Sequence, residues 1–245
     1  MQPTTGDNTT MPHHRRIQVN VGDRQVPVEV VAPDSSASAP GILYLHEIFG
    51  VLDAYREDAE DLARHGYVVY LPDLYAGVGA TRYCIRAMVH SAGRKNTADN
   101  PLAQEVHALL DALKVDNQCN GKLGIIGACL TGGFVLHMAK RPDMQAPVIY
   151  HHSLGLEGSG VPRKDDLHEV RLIQGHWAKT DPFCPSRRRR LLREQLGERL
   201  EAYEYDMPHG FRSLSRGRPD AAVVWQRTLD FFARQLGDAA TSNTG

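Results

Sequence analysis

Cysteine is scarce in this chain of 245 residues, and the four present, Cys84, Cys119, Cys129 and Cys184, form neither a CxxC pair nor a Cys/His zinc spacing. A disulfide-stapled scaffold is thereby excluded, and no metal or cofactor is expected. An excess of charge of one sign is also missing, with 28 basic against 29 acidic residues, so nothing favours nucleic acid or an anionic membrane as partner. No apolar run approaches the length of about 18 residues that a membrane-spanning helix needs. Residues 1–14 are polar and hold no apolar core, so no secretory signal is expected. These absences together predict a cytoplasmic protein with reduced thiols, monomeric or a small homo-oligomer.

What is present suits one α/β domain over residues 15–236, flanked by a disordered segment 1–14 and a flexible tail 237–245, both rich in Thr, Asn, Asp and Gly. Strand-like and helix-like stretches alternate. Residues 17–21 and 26–31 read as a hairpin around Gly22-Asp23. Residues 41–45, 67–71, 122–127, 148–150, 170–174 and 200–205 read as further strands. Helices are expected over 53–65, 102–113, 130–139, 187–196 and 220–236. Asn100-Pro101 is a good helix start, a capping side chain followed by Pro at the first position. The arginines at 187–190 read as a solvated helix face rather than a binding patch. Residues 77–99 show weak periodicity and read as a loop or lid beside a site. Strands alternating with helices predict a mainly parallel sheet covered on both faces, with ligands at the carboxyl ends of its strands.

The strongest chemical signal is Gly127-Ala128-Cys129-Leu130-Thr131-Gly132-Gly133, between an apolar strand and a helical stretch. It has the form of a nucleophile elbow with Cys where Ser is more usual. Gly127 and Gly132 supply room for a sharp turn, the helix start favours a thiolate, and the Leu130 N–H is expected to serve as an oxyanion donor. The plainer alternative is a buried structural cysteine at a glycine-rich junction. An elbow nucleophile needs an acid and then a His at later strand ends, in that order. Asp181 in Thr180-Asp181-Pro182 and His209 in Met207-Pro208-His209-Gly210-Phe211 meet that requirement. Taken singly, Asp181 also suits a turn and His209 a surface loop.

Four segments resemble the dienelactone hydrolase family (carboxymethylenebutenolidases). They are Leu45-His46-Glu47-Ile48-Phe49-Gly50, Gly66-Tyr67 through Pro72-Asp73-Leu74-Tyr75-Ala76, the Cys129 elbow, and Asp181-Pro182-Phe183-Cys184-Pro185 with His209-Gly210-Phe211. The resemblance spans about residues 17–236. It implies an α/β-hydrolase fold, hydrolysis of small esters or lactones, and a Cys129–His209–Asp181 triad working through a thioester. It further implies that Glu47 contacts the resting thiol and helps to deprotonate it. In this fold the Ile48 N–H would be the second oxyanion donor.

This chain also departs from the family pattern. Gly77 and Ser213 stand where the founding enzymes carry arginines for a substrate carboxylate. Arg82 or Arg86 from the expected lid, or Arg212, would have to compensate. Tyr75, His151, His152 and Phe211 complete the expected substrate-binding set, although the His pair reads equally as exposed loop residues. An anionic substrate is therefore less well supported than a small ester as such.

Three rival readings are weighed by residues. A class I glutamine amidotransferase has Glu two places after its His, where this chain has Phe211. A flavodoxin-like redox or stress cysteine protein needs no Asp181 and His209 in this order. A non-catalytic binding protein of the hydrolase fold would not need the triad positions kept intact.

Overall fold

The computed structural model describes residues 11–91, 100–153 and 170–237. The expected segment 1–14 and tail 237–245 fall mostly outside them. The chain nonetheless enters the sheet before residue 15, because strand β1 (His13–Val21) pairs antiparallel with β2 (Arg24–Ala32) from His13 opposite Ala32. Gly22, at φ 63°, makes the tight turn between them.

The apolar runs then form strands buried on both faces. In chain order come β3 (Ala39–Leu45), α1 (Asp53–Arg64), β4 (Val68–Pro72), α2 (Ala80–Ser91), α3 (Pro101–Lys114), β5 (Cys119–Ala128), α4 (Gly132–Met138) and β6 (Met144–Tyr150). After them come β7 (Ile173–Ala178), α5 (Ser186–Leu196), β8 (Leu200–Tyr205), α6 (Phe211–Leu214) and α7 (Pro219–Leu236). The eight strands make one sheet in the order β1-β2-β4-β3-β5-β6-β7-β8, parallel from β4 to β8. One face is covered by α1 and α7 through Tyr55, Leu62, Val224 and Phe232, the other by α3, α4 and α5 through Leu109, Phe134 and Leu192. Asn100 caps α3 through Oδ1, which accepts from the Leu102 N–H at 3.0 Å.

Two elements differ from the sequence expectation. Residues 80–91 are helical rather than irregular: over 80–89 only Tyr83 and Ala87, one turn apart, are buried, while Ile85, Met88 and Val89 are exposed, so the apolar stripe is too thin to show a period. Residues 92–99 of the expected lid lie outside the described residues. Strand β7 runs over Ile173–Ala178 rather than 170–174, because the polar Gln174 and His176 interrupt its apolar run. The buried His176 is satisfied within the sheet by Gln174 Oε1 and Tyr205 Oη, each at 2.8 Å. The Trp177 ring lies where a side chain on Gly175 would sit.

Candidate active site

Every candidate catalytic residue leaves the carboxyl edge of this sheet. Cys129 follows β5 directly and has φ 52°, a left-handed conformation rare for a residue with a Cβ. The turn is held by the Cys129 N–H donating to the Tyr150 carbonyl at 3.1 Å and by Thr131 Oγ1 accepting from the Ala128 N–H at 3.1 Å. A Cβ on Gly127 would sit 2.6 Å from the Thr131 carbonyl, and one on Gly132 would sit 2.7 Å from the His152 Cβ, so both glycines are required by close approach. The Leu130 and Ile48 N–H groups have no hydrogen-bond partner among the described residues, which leaves both free to meet an oxyanion.

Asp181 both forms a turn and meets His209. Its Oδ1 accepts from the Phe183 and Cys184 N–H groups at 2.8 and 3.0 Å, forming the turn, and its Oδ2 lies 2.7 Å from His209 Nδ1. Burial alone would raise the Asp181 pKa, but the His209 contact and the two amide donors hold it below the ordinary carboxylate value. Burial opposes charge on His209 as well. The Asp181 bond and the neighbouring Cys129 thiol outweigh it and lift the imidazole to about 9. The thiol lies beside the ring without a directed hydrogen bond to Nε2, and its Sγ is 3.5 Å from Ser153 Oγ.

Glu47 is buried, which pushes its carboxyl pKa up. Its Oε2 accepts from Ser213 Oγ at 2.9 Å, and its Oε1 lies 3.5 Å from His151 Nε2. The expected contact with the resting thiol is therefore replaced by one with Ser213. Sequence reasoning took Ser213 only as a lost arginine; its position four places after His209 was the available signal. His46 was also missed. Its Nε2 accepts from the Leu74 N–H at 3.1 Å and its Nδ1 lies 2.7 Å from the Glu47 carbonyl, fixing the loop that carries Glu47 and Ile48.

The expected substrate-binding residues divide. Tyr75 Oη donates to the Glu47 carbonyl at 3.3 Å and lies 3.5 Å from Cys84 Sγ, at the site's edge. His151 and His152 are both fully buried, which overturns their reading as exposed loop residues. His151 packs its ring 4.4 Å from that of His209, whereas His152 Nδ1 accepts from Trp177 Nε1 at 3.1 Å and supports the elbow from behind. Phe211 is core, edge-on to His151 and Tyr150. Arg212 is corrected too: its buried guanidinium binds Asp58 and stacks over Trp225 at 4.2 Å, leaving nothing for a substrate carboxylate. Arg86 pairs with Glu105 at 3.3 Å, and Arg82 is exposed on α2.

A mainly parallel sheet covered on both faces, with a strained cysteine between strand and helix and an Asp–His pair on the later loops, is an α/β-hydrolase fold. Comparison with known proteins narrows this. A profile of the dienelactone hydrolase family matches residues 26–236. A carboxymethylenebutenolidase of Rhodococcus opacus is 30% identical over 239 residues, covering 92% of this chain and 93% of its own. Another, of Pseudomonas putida, is 28% identical, covering 83% of this chain and 89% of its own. Among solved structures, the dienelactone hydrolase of Anabaena variabilis superposes with a TM-score of 0.66 at 21% identity, over 93% of this chain and 100% of that one. A carboxyl esterase of the fungus Tuber melanosporum does so at 0.69 and 15% identity, over 94% and 89%. The chain belongs to the dienelactone hydrolase family and is a hydrolase of that family. No helix among the described residues is long and apolar enough to cross a membrane.

Proposed function

We propose that this chain hydrolyses small esters or lactones through a thioester formed on Cys129. The observation that carries the reading is the 2.7 Å pairing of His209 with Asp181 beside a cysteine of φ 52°. In the first half-reaction the Cys129 thiolate attacks the ester carbonyl. The free amides of Leu130 and Ile48 receive the oxyanion, each such donor being worth about 3 kcal/mol in the transition state. His209, oriented by Asp181, gives its proton to the leaving alkoxide and then takes one from the water that opens the thioester.

The relatives' name, carboxymethylenebutenolidase, describes a lactone bearing a carboxylate. In this chain Gly77 and Ser213 hold no cation, and Arg86, Arg212 and Arg216 are each paired with acids. Arg82, exposed on α2, is the named arginine that stays outside any ion pair among the described residues, so small esters that need no buried cation are the better-supported substrates. Incubation with p-nitrophenyl acetate should give turnover that iodoacetamide abolishes. Turnover that survives full alkylation of Cys129 would refute the reading.

A further inference from the structure

Buried polar atoms are normally satisfied, by protein or by ordered water that makes about three hydrogen bonds. Among the described residues ten buried side-chain nitrogen or oxygen atoms lack a partner within the protein, and five of them gather around Glu47: its own Oε1, Tyr55 Oη, His151 Nδ1, His151 Nε2 and His209 Nε2. Glu47 Oε1 and His151 Nε2 are 3.5 Å apart, and the two imidazole rings are 4.4 Å apart at 60°. His151 is fully buried and takes φ 31° at the end of β6, a conformation that residues with a Cβ avoid. Phe211 backs its ring at 4.9 Å. Packing alone does not account for a strained histidine there, since a phenylalanine would fill the space without two buried nitrogens.

We infer that His151, Glu47 and His209 form the cradle of the water that hydrolyses the acyl-enzyme, with His151 as a positioning residue specific to the deacylation half. The inference rests on the thioester reading. The water accepts from His151 Nε2–H, donates one proton to Glu47 Oε1 and presents the other to His209 Nε2. Its oxygen bonds to the thioester carbonyl carbon, His209 takes the proton, and the C–S bond breaks as that proton returns to the departing Cys129 sulfur. The products are the carboxylic acid and the free thiol. Acylation uses the thiolate, His209 and the two amides, so it does not need His151.

The experiment is stopped-flow hydrolysis of p-nitrophenyl acetate by the wild type, His151→Phe and His151→Asn, with mass spectrometry of acid-quenched samples. His151→Phe keeps the ring and removes both nitrogens. It should retain the p-nitrophenol burst, slow the steady state about tenfold or more, and accumulate the acyl adduct on Cys129. Hydroxylamine, a nucleophile that needs no such cradle, should restore release of the adduct. His151→Asn, which keeps an N–H, should lie between; if the Phe variant does not fold, it carries the test alone. Equal slowing of burst and steady state, or an unchanged steady state, overturns the cradle. A wild type that forms no adduct on Cys129 overturns the thioester reading instead, so the two failures are distinguishable.

Discussion

A thiol acts as a nucleophile only where its thiolate is both reachable and tolerated. Burial pushes the Cys184 thiol up to about 12, and burial likewise raises Cys119. Cys129 instead sits beside His209, at the start of the elbow whose Leu130 amide has no partner among the described residues. Cys129→Ala should therefore abolish ester turnover, Cys129→Ser should keep weak activity, and Cys184→Ala should keep most of it, all read by steady-state kinetics. The imidazole supplies a pH signature. Because the folded pKa of His209, about 9, lies above its ordinary 6.5, the stability its charge adds is fully present below 6.5 and fades as the pH rises through 9. In the proposed mechanism the same proton serves the leaving group, so kcat/KM should fall above about pH 9; a profile that stays level beyond that range would contradict the assigned acid. Glu47 is displaced in the same sense by burial, its neutral form being favoured. Stability tied to its proton is present below its ordinary value and lost as the pH rises through its raised one. Glu47→Gln should thus raise Tm more at pH 8 than at pH 4.5 while lowering turnover, a difference that thermal melts at the two pH values measure.

At the scale of elements, the loop bearing His209 is fastened by charge. Asp58 on α1 accepts from Tyr44 Oη at 2.8 Å and from Arg212 Nε at 2.9 Å, with Arg216 at 2.6 Å. Breaking a buried ion pair outright costs roughly 3–5 kcal/mol. Arg212→Ala leaves Asp58 with Arg216 and Tyr44, so it should cost only part of that in urea unfolding and also lower kcat, since α6 begins two residues after His209. Sequence patterning found the hairpin, α3, β8 and α7 closely, because each shows a clean period or a cap. It did not find α2, which buries Tyr83 and Ala87 but exposes Ile85, Met88 and Val89, nor the extent of β7, whose buried His176 and Gln174 are hydrogen-bonded to each other. Arg212 was read as a substrate ligand for the same reason: pattern shows that a charge is near a site, while its partner Asp58 is 154 residues away in the chain.

Across the whole molecule, parallel strands bring distant residues to one edge: Glu47 after β3, Cys129 after β5, His151 after β6, Asp181 after β7 and His209 after β8. The placement of Cys129, Asp181 and His209 just past successive strand ends was legible because strand order and motif order agree. The contacts of Glu47 with Ser213 and His151 were not, since they join loops whose separation no local pattern encodes. The most direct test of the account is acid quench of the wild type within milliseconds of mixing with p-nitrophenyl acetate, followed by peptide mapping. The account predicts an acetyl group on the peptide holding Cys129, labile to hydroxylamine and missing in Cys129→Ala. An acetyl group on any other residue under turnover, or hydrolysis at full rate by Cys129→Ala, would contradict it.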